Sequence, residues 1–99
     1  MALKNWVFIY TAPGLDPAGR TTVVETPECR TLLVGVPDVD AGVRVAATLD
    51  ETVQLVELCG GFGPKGTARI LEALNGRVPV GSVAYGPESV DGVHAIFSD

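Results

Sequence analysis

Apolar and polar positions follow two rhythms along this chain. Asn5 to Thr11, NWVFIYT, gathers aromatic and β-branched residues with no helical period, which predicts a central strand that is apolar on both faces. Ala12 to Gly19 holds two prolines and two glycines and predicts a loop at that strand's end. Thr21 to Thr26 reads as a short strand stopped by Pro27, which has no N–H to give a sheet ladder. Arg30 to Val36, RTLLVGV, predicts a further strand, after which Asp38 can cap free helix amides.

The rhythm changes at Val39. Val39, Val43, Ala46 and Ala47 recur at helical offsets and predict a helix ending near Leu49, in which Gly42 costs about 1 kcal/mol against alanine. Asp40 and Arg44 stand four apart on its polar side and are expected to pair. Val53 to Cys59 predicts a strand. A glycine-rich turn follows, then a helix from Pro64 to Asn75 with Ile70, Leu71 and Leu74 inward and Gly76 as C-cap. Arg77 to Tyr85 predicts another strand, and Val93 to Phe97, VHAIF, a last edge strand.

Strand, helix, strand, helix, strand from Thr31 to Ala84 makes two consecutive crossover units. The expected architecture is a single α/β domain over residues 1–99, a largely parallel sheet of four to five strands with two crossover helices. If the sheet grows in one direction, both helices cover the same face. The strands are nevertheless apolar on both sides. Leu33, Val56, Leu58 and Val83 read as one set, and Leu32, Val34, Leu55 and Val80 as the opposite one. A second copy of the chain is the simplest cover for the bare set, so a homo-oligomer is expected. The tail from Glu88, or the segment from Ala12 to Thr26 folded back, is the rival cover.

Composition narrows the partners. With 46% hydrophobic residues the chain can form a packed core, and a net charge of -5 opposes nucleic acid and anionic membrane surfaces. No apolar run approaches the roughly 18 residues that cross a bilayer. MALKNWVFIY does not resemble a secretory signal, so a cytoplasmic protein with Cys29 and Cys59 as free thiols is expected.

Candidate chemistry concentrates in VQLVELCGGFGPKGTARILEALNG, Val53 to Gly76. Ligands of open parallel sheets bind at strand carboxyl ends, where helix N-termini offer free N–H groups to anions. The ligand-binding candidates are therefore Gly60, Gly61, Phe62, Gly63, Lys65 and Gly66, with Tyr10 and Thr11 at the end of the first strand and Tyr85 beside them. Glycines that only make a tight turn are the plain alternative. Gly61, Gly63 and Gly66 spell G-x-G-x-x-G, with Glu88 about twenty residues on, but Pro64 stands inside the motif and 99 residues hold no second mononucleotide half. Lys65-Gly66-Thr67 has the wrong order for a Walker loop. No cofactor is expected. The lone His94 argues against a zinc cluster, and no metal is expected either.

Glu57 and Cys59 share a strand face and are the catalytic candidates. A carboxylate in a buried strand suits acid-base work, and a thiol just before a helix suits nucleophilic attack. An ion pair of Glu57 with Arg30, Arg44 or Arg77 and a plain core cysteine are the competing readings.

VELCGGFGPKGTA, with WVFIYTAPGLDP and RVPVGSV, resembles a family of short uncharacterised proteins classed as a domain of unknown function. The resemblance implies an α/β fold and a shared loop, and no catalytic assignment. Three functions fit the chain. The foremost is a binding protein that holds a small phosphate or carboxylate metabolite at the glycine loop. An isomerase- or lyase-type enzyme using Glu57 or Cys59, and an oligomeric interaction protein without a ligand, are the alternatives.

Overall fold

In the computed structural model, which describes residues 2–98, the apolar run near the N-terminus becomes the middle of a five-stranded sheet. The strands are β1 (Asn5–Thr11), β2 (Arg20–Glu25), β3 (Arg30–Val36), β4 (Leu55–Leu58) and β5 (Val80–Ser82). Their order is β2-β3-β1-β4-β5. β1 runs parallel to β3 and β4, and β4 to β5. β2 is antiparallel to β3, so the sheet is mixed. That edge follows from Pro27: the chain turns back over a few residues, and a connection so short permits only an antiparallel neighbour. β2 of the Ala12 to Thr26 segment therefore extends the sheet sideways, and of the loop before it only local contacts reach the faces, Leu15 over Gly35 on the helix-free side and Gly19 against Val34 and Val45 on the other.

The helices are α1 (Val39–Ala47), α2 (Gly63–Ala73) and α3 (Val90–Phe97). α1 carries the chain from β3 past β1 to β4, and α2 carries it on to β5 in the same direction. Both helices lie on one face and pack against each other. Asp38 caps α1 as expected, its Oδ1 accepting from Ala41 N–H at 2.9 Å. At the far end of α2, Asn75 and Gly76 take left-handed φ values of 52° and 68° and end the helix. Asp40 does not pair within α1. It accepts from Arg69 of α2 at 2.7 Å, because the two helices are close enough for Arg69 to reach across.

That closeness explains Gly42. A Cβ there would stand 2.7 Å from the Phe62 ring, so the position that costs helix propensity is where Phe62 enters the core. The core joins Val7, Ile9, Val34, Val36, Val56 and Leu58 of the sheet to Ala41, Ala46, Ile70 and Leu74 of the helices, with Val53, Phe62 and Val78 at its rim. Paired strand residues share a face, so the registers divide the apolar positions. Leu32, Val34, Val56, Leu58 and Val80 lie on the helix side, and Leu33 and Leu55 on the other. The two sets read from sequence alternate correctly within each strand but join strands wrongly, since parity along one strand carries no information about its neighbour's register.

The tail also departs from expectation. Val93 to Phe97 is helical, part of α3, and follows a 3₁₀ turn over Pro87–Ser89. Val90, Val93, His94 and Phe97 have the three-four spacing of one helix face. α3 packs on the turn before it and contributes no buried residue, with Ile96 71% exposed and Phe97 60%. It does not cover the sheet. No helix among the described residues is long and apolar enough to cross a membrane.

Candidate functional site

The carboxyl ends of β1 and β4 meet at Cys59. Its N–H donates to the Ile9 carbonyl at 3.1 Å and extends the β1–β4 ladder by one residue. Its Sγ then accepts from Thr11 N–H at 3.3 Å and stands 3.6 Å from Thr11 Oγ1. A half-buried thiol thus takes the place of a ladder carbonyl and joins the two strand ends. Immediately beyond it the chain tightens into a 3₁₀ turn over Gly60–Phe62 and enters α2.

The glycines of this turn meet separate demands. A Cβ on Gly60 would collide with the Tyr85 ring, and one on Gly61 with Thr11 Oγ1. Gly63 has open space around it but a φ of 63°, a backbone that L side chains rarely adopt. Gly66 lets α2 approach Phe62 and Val39, at 3.2 and 3.3 Å from its ideal Cβ. Phe62 itself turns inward and is 4% exposed, and Lys65 stands on the surface.

Tyr85 on Gly60 closes one side of a cleft of about 440 Å³. Gly60, Gly63 and Pro64 form one wall, Ser82, Val83, Ala84 and Tyr85 the other, and Val93 of α3 adds to it. The cleft opens beside the first turn of α2, where no side chain caps the helix and no acidic residue stands. Among the described residues neither Gly60 nor Gly61 N–H finds a protein acceptor. The wall is largely apolar, with the Gly60 N–H as the free backbone donor at one end, since Gly63 N–H already donates to the Gly60 carbonyl and Pro64 has none; this suits a small molecule bearing one anionic group.

The site residues expected from sequence therefore separate. Gly60, Gly63 and Tyr85 come together at the cleft. Thr11, Cys59 and Gly61 form the adjoining strand-end cluster. Tyr10 leans the other way, over Gly35 and toward Leu15, so it does not join Tyr85. Glu57 is exposed on the helix-free face of β4 rather than buried, because α1 and α2 cover only the opposite face. It takes part in neither of the two ion pairs among the described residues, Glu25–Arg30 and Asp40–Arg69. Ser82, Val83, Ala84 and Val93 escaped the sequence reading: the first three come beside Gly60 through the pairing of β5 with β4, where Val83 N–H donates to the Leu58 carbonyl at 3.1 Å, and Val93 comes through α3.

A larger cleft, about 900 Å³, lies at the opposite end of the sheet between Leu49–Thr52 and Arg77–Val78. Its chemistry is less receptive to an anion. Asp50 and Glu51 line it, and Arg77 already donates to the Leu49 carbonyl at 3.3 Å. Hydrogen bonds from the Thr52 hydroxyl and then its backbone N–H hold the Asp50 carboxyl below the usual carboxylate range, which keeps that rim negative. No group of three or more His, Cys, Asp or Glu side chains able to hold a metal occurs among the described residues.

A family model described as a family of unknown function, DUF6506, matches residues 4–98. The chain belongs to that family. The match runs through α3, so family membership includes the tail that frames the cleft. No curated protein and no solved structure matches the chain.

Proposed function

We propose that this member of the family is a binding protein for a small metabolite carrying a phosphate or carboxylate, held in the cleft between the glycine turn and Tyr85. The observation that carries this reading is the coincidence of three features: a ligand-sized cleft, an uncapped N-terminus of α2, and the unpaired Gly60 amide in its wall. The anionic group would sit at the Gly60 N–H, beside the first turn of α2, and the apolar remainder against Pro64, Val83, Tyr85 and Val93. Glu57 and Cys59 lie outside the lining, and this favours binding over catalysis.

Thermal unfolding in the presence of a panel of small phosphates and carboxylates tests the reading. A ligand that binds only the folded chain stabilises it by about 2.7 kcal/mol at a hundred times its Kd. The expected result is an upward shift with at least one of them. Tyr85→Ala is expected to abolish that shift while leaving the unliganded fold intact, because Tyr85 is 44% exposed and stands outside the core. A panel without any shift, or an unchanged shift in Tyr85→Ala, overturns the assignment.

A further inference from the structure

The face of the sheet opposite α1 and α2 carries its own ordered surface. β1 presents Trp6, Phe8 and Tyr10 there, in the middle of five strands. The Phe8 and Tyr10 rings stack with centroids 6.4 Å apart and planes 22° from parallel. The registers put Leu33 beside Phe8, and Leu55 and Thr31 beside Trp6, with Val24 next to Thr31. None of these residues is buried, whereas the alternating Val7 and Ile9 are fully buried. Among the described residues no helix covers them: β2 widens the sheet and α3 sits on the turn before it, while Leu15 of the loop before β2 reaches over Gly35 beside Tyr10 at one end of the face.

We infer that this face is a self-association surface, on which a second copy of the chain packs sheet against sheet about a two-fold axis along β1. Two observations select a second copy over an unrelated partner. The first is charge. The paired strand positions on this face include two charged residues of opposite sign, Arg20 on β2 and Glu57 on β4. They stand on opposite sides of β1, three strand spacings or about 14 Å apart, too far to neutralise each other within one copy. A two-fold along β1 lays β2 of one copy over β5 of the other. Arg20 then arrives one strand and one residue pair from the partner's Glu57, within side-chain reach across sheets about 10 Å apart. The three aromatics meet their own images on the axis, as an isologous interface requires.

The second is area. At about 3.3 Å per residue and about 4.8 Å between strands, the paired strands present about 430 Å² in plane, before the relief of projecting aromatic side chains. Two such faces present about 860 Å² in plane, and the relief of the projecting Trp6, Phe8 and Tyr10 side chains brings the total to about the 1,000 Å² that a specific interface has to clear. An aromatic centre with charges at its flanks also has the anatomy of one.

The test is the mass of the full chain in solution, by sedimentation or by size exclusion with light scattering across a wide concentration range. Trp6, the single tryptophan, serves as an internal reporter. The expected result is a dimer whose tryptophan emission moves to longer wavelength on dilution as Trp6 becomes exposed. Phe8→Glu should give a monomer with unchanged far-UV circular dichroism. Arg20→Glu and Glu57→Arg should each raise the dimer Kd about 3- to 10-fold, and the double exchange should restore it, since the two residues cannot meet within one copy. A wild-type monomer at every concentration overturns the inference, as does a dimer that survives Phe8→Glu. Where Phe8→Glu fails to fold, the exchange decides: restoration upholds the interface, and a double exchange no tighter than the single ones removes it.

Discussion

The two faces of the sheet are built from nearly the same kind of side chain and meet different fates. On β1, Val7 and Ile9 are fully buried under α1 and α2, while Trp6, Phe8 and Tyr10, their immediate neighbours, are only half-covered. Hydrophobicity is not the difference, since the half-covered residues are the larger ones. The difference is topological: successive crossovers that advance in one direction place both helices on one side. The covered face carries stability, and the bare face is left available for recognition.

Substitutions on either side of β1 break this comparison most directly. Ile9→Ala leaves a cavity in a closed core and should lower stability by about 2–5 kcal/mol in urea unfolding. Phe8→Ala, one residue away, should cost the monomer less, about 1–2 kcal/mol, because its ring is only partly withdrawn from water and no closed cavity is left. Equal losses would mean that the bare face is closed in solution. Gly42→Ala sharpens the account of the covered face, where helix propensity alone predicts a gain of about 1 kcal/mol. The Phe62 contact predicts instead a loss of about 1–3 kcal/mol in the same unfolding experiment.

Smaller effects probe the edges of the covered face. Asp38→Ala removes the bond to Ala41 N–H and should cost about 1 kcal/mol, read from the shift in unfolding midpoint. Asp40→Ala should cost only a few tenths of a kcal/mol and lose even that in high salt, since both partners are at least half exposed. Asp50 gives the weakest signal, and it is a signal in pH. Its folded carboxyl titrates below the ordinary value of 3.8, so its contribution is complete above that value and lost as pH falls through the lower folded one. Thr52→Val should therefore lower stability slightly at neutral pH and leave it unchanged at the acid end, which flattens the acid limb of the stability curve.

Much of the fold was legible because local chemistry decided it. The apolar run at Asn5–Thr11, the Asp38 cap, Gly76 after α2 and the stop at Pro27 all act within a few residues of chain. The candidate site was legible only as a place. The glycine turn does lie at a strand carboxyl end beside a helix, and Tyr85 does reach Gly60. Its partners were not readable, because Ser82 to Ala84 come to the cleft through the register of β5 on β4 and Val93 through α3, whose VHAIF core suits either a strand or a short helix. The apolar neighbours Val56 and Leu58 predict a buried Glu57, whereas a strand residue takes its burial from the face it shares with Leu55.

The amino-acid sequence by itself determined the alternation of strands and helices, their caps and stops, and the presence of apolar residues on both sides of the strands. Those properties depend on propensities and periods that act along the chain. Only the tertiary structure decided the order of the strands on either side of β1 and which strand residues share a face. It also gave Gly42 and Gly60 their purpose, the Phe62 ring in one case and Tyr85 in the other. Strand register and ring contacts join residues far apart in sequence, and neither propensity nor periodicity carries that information.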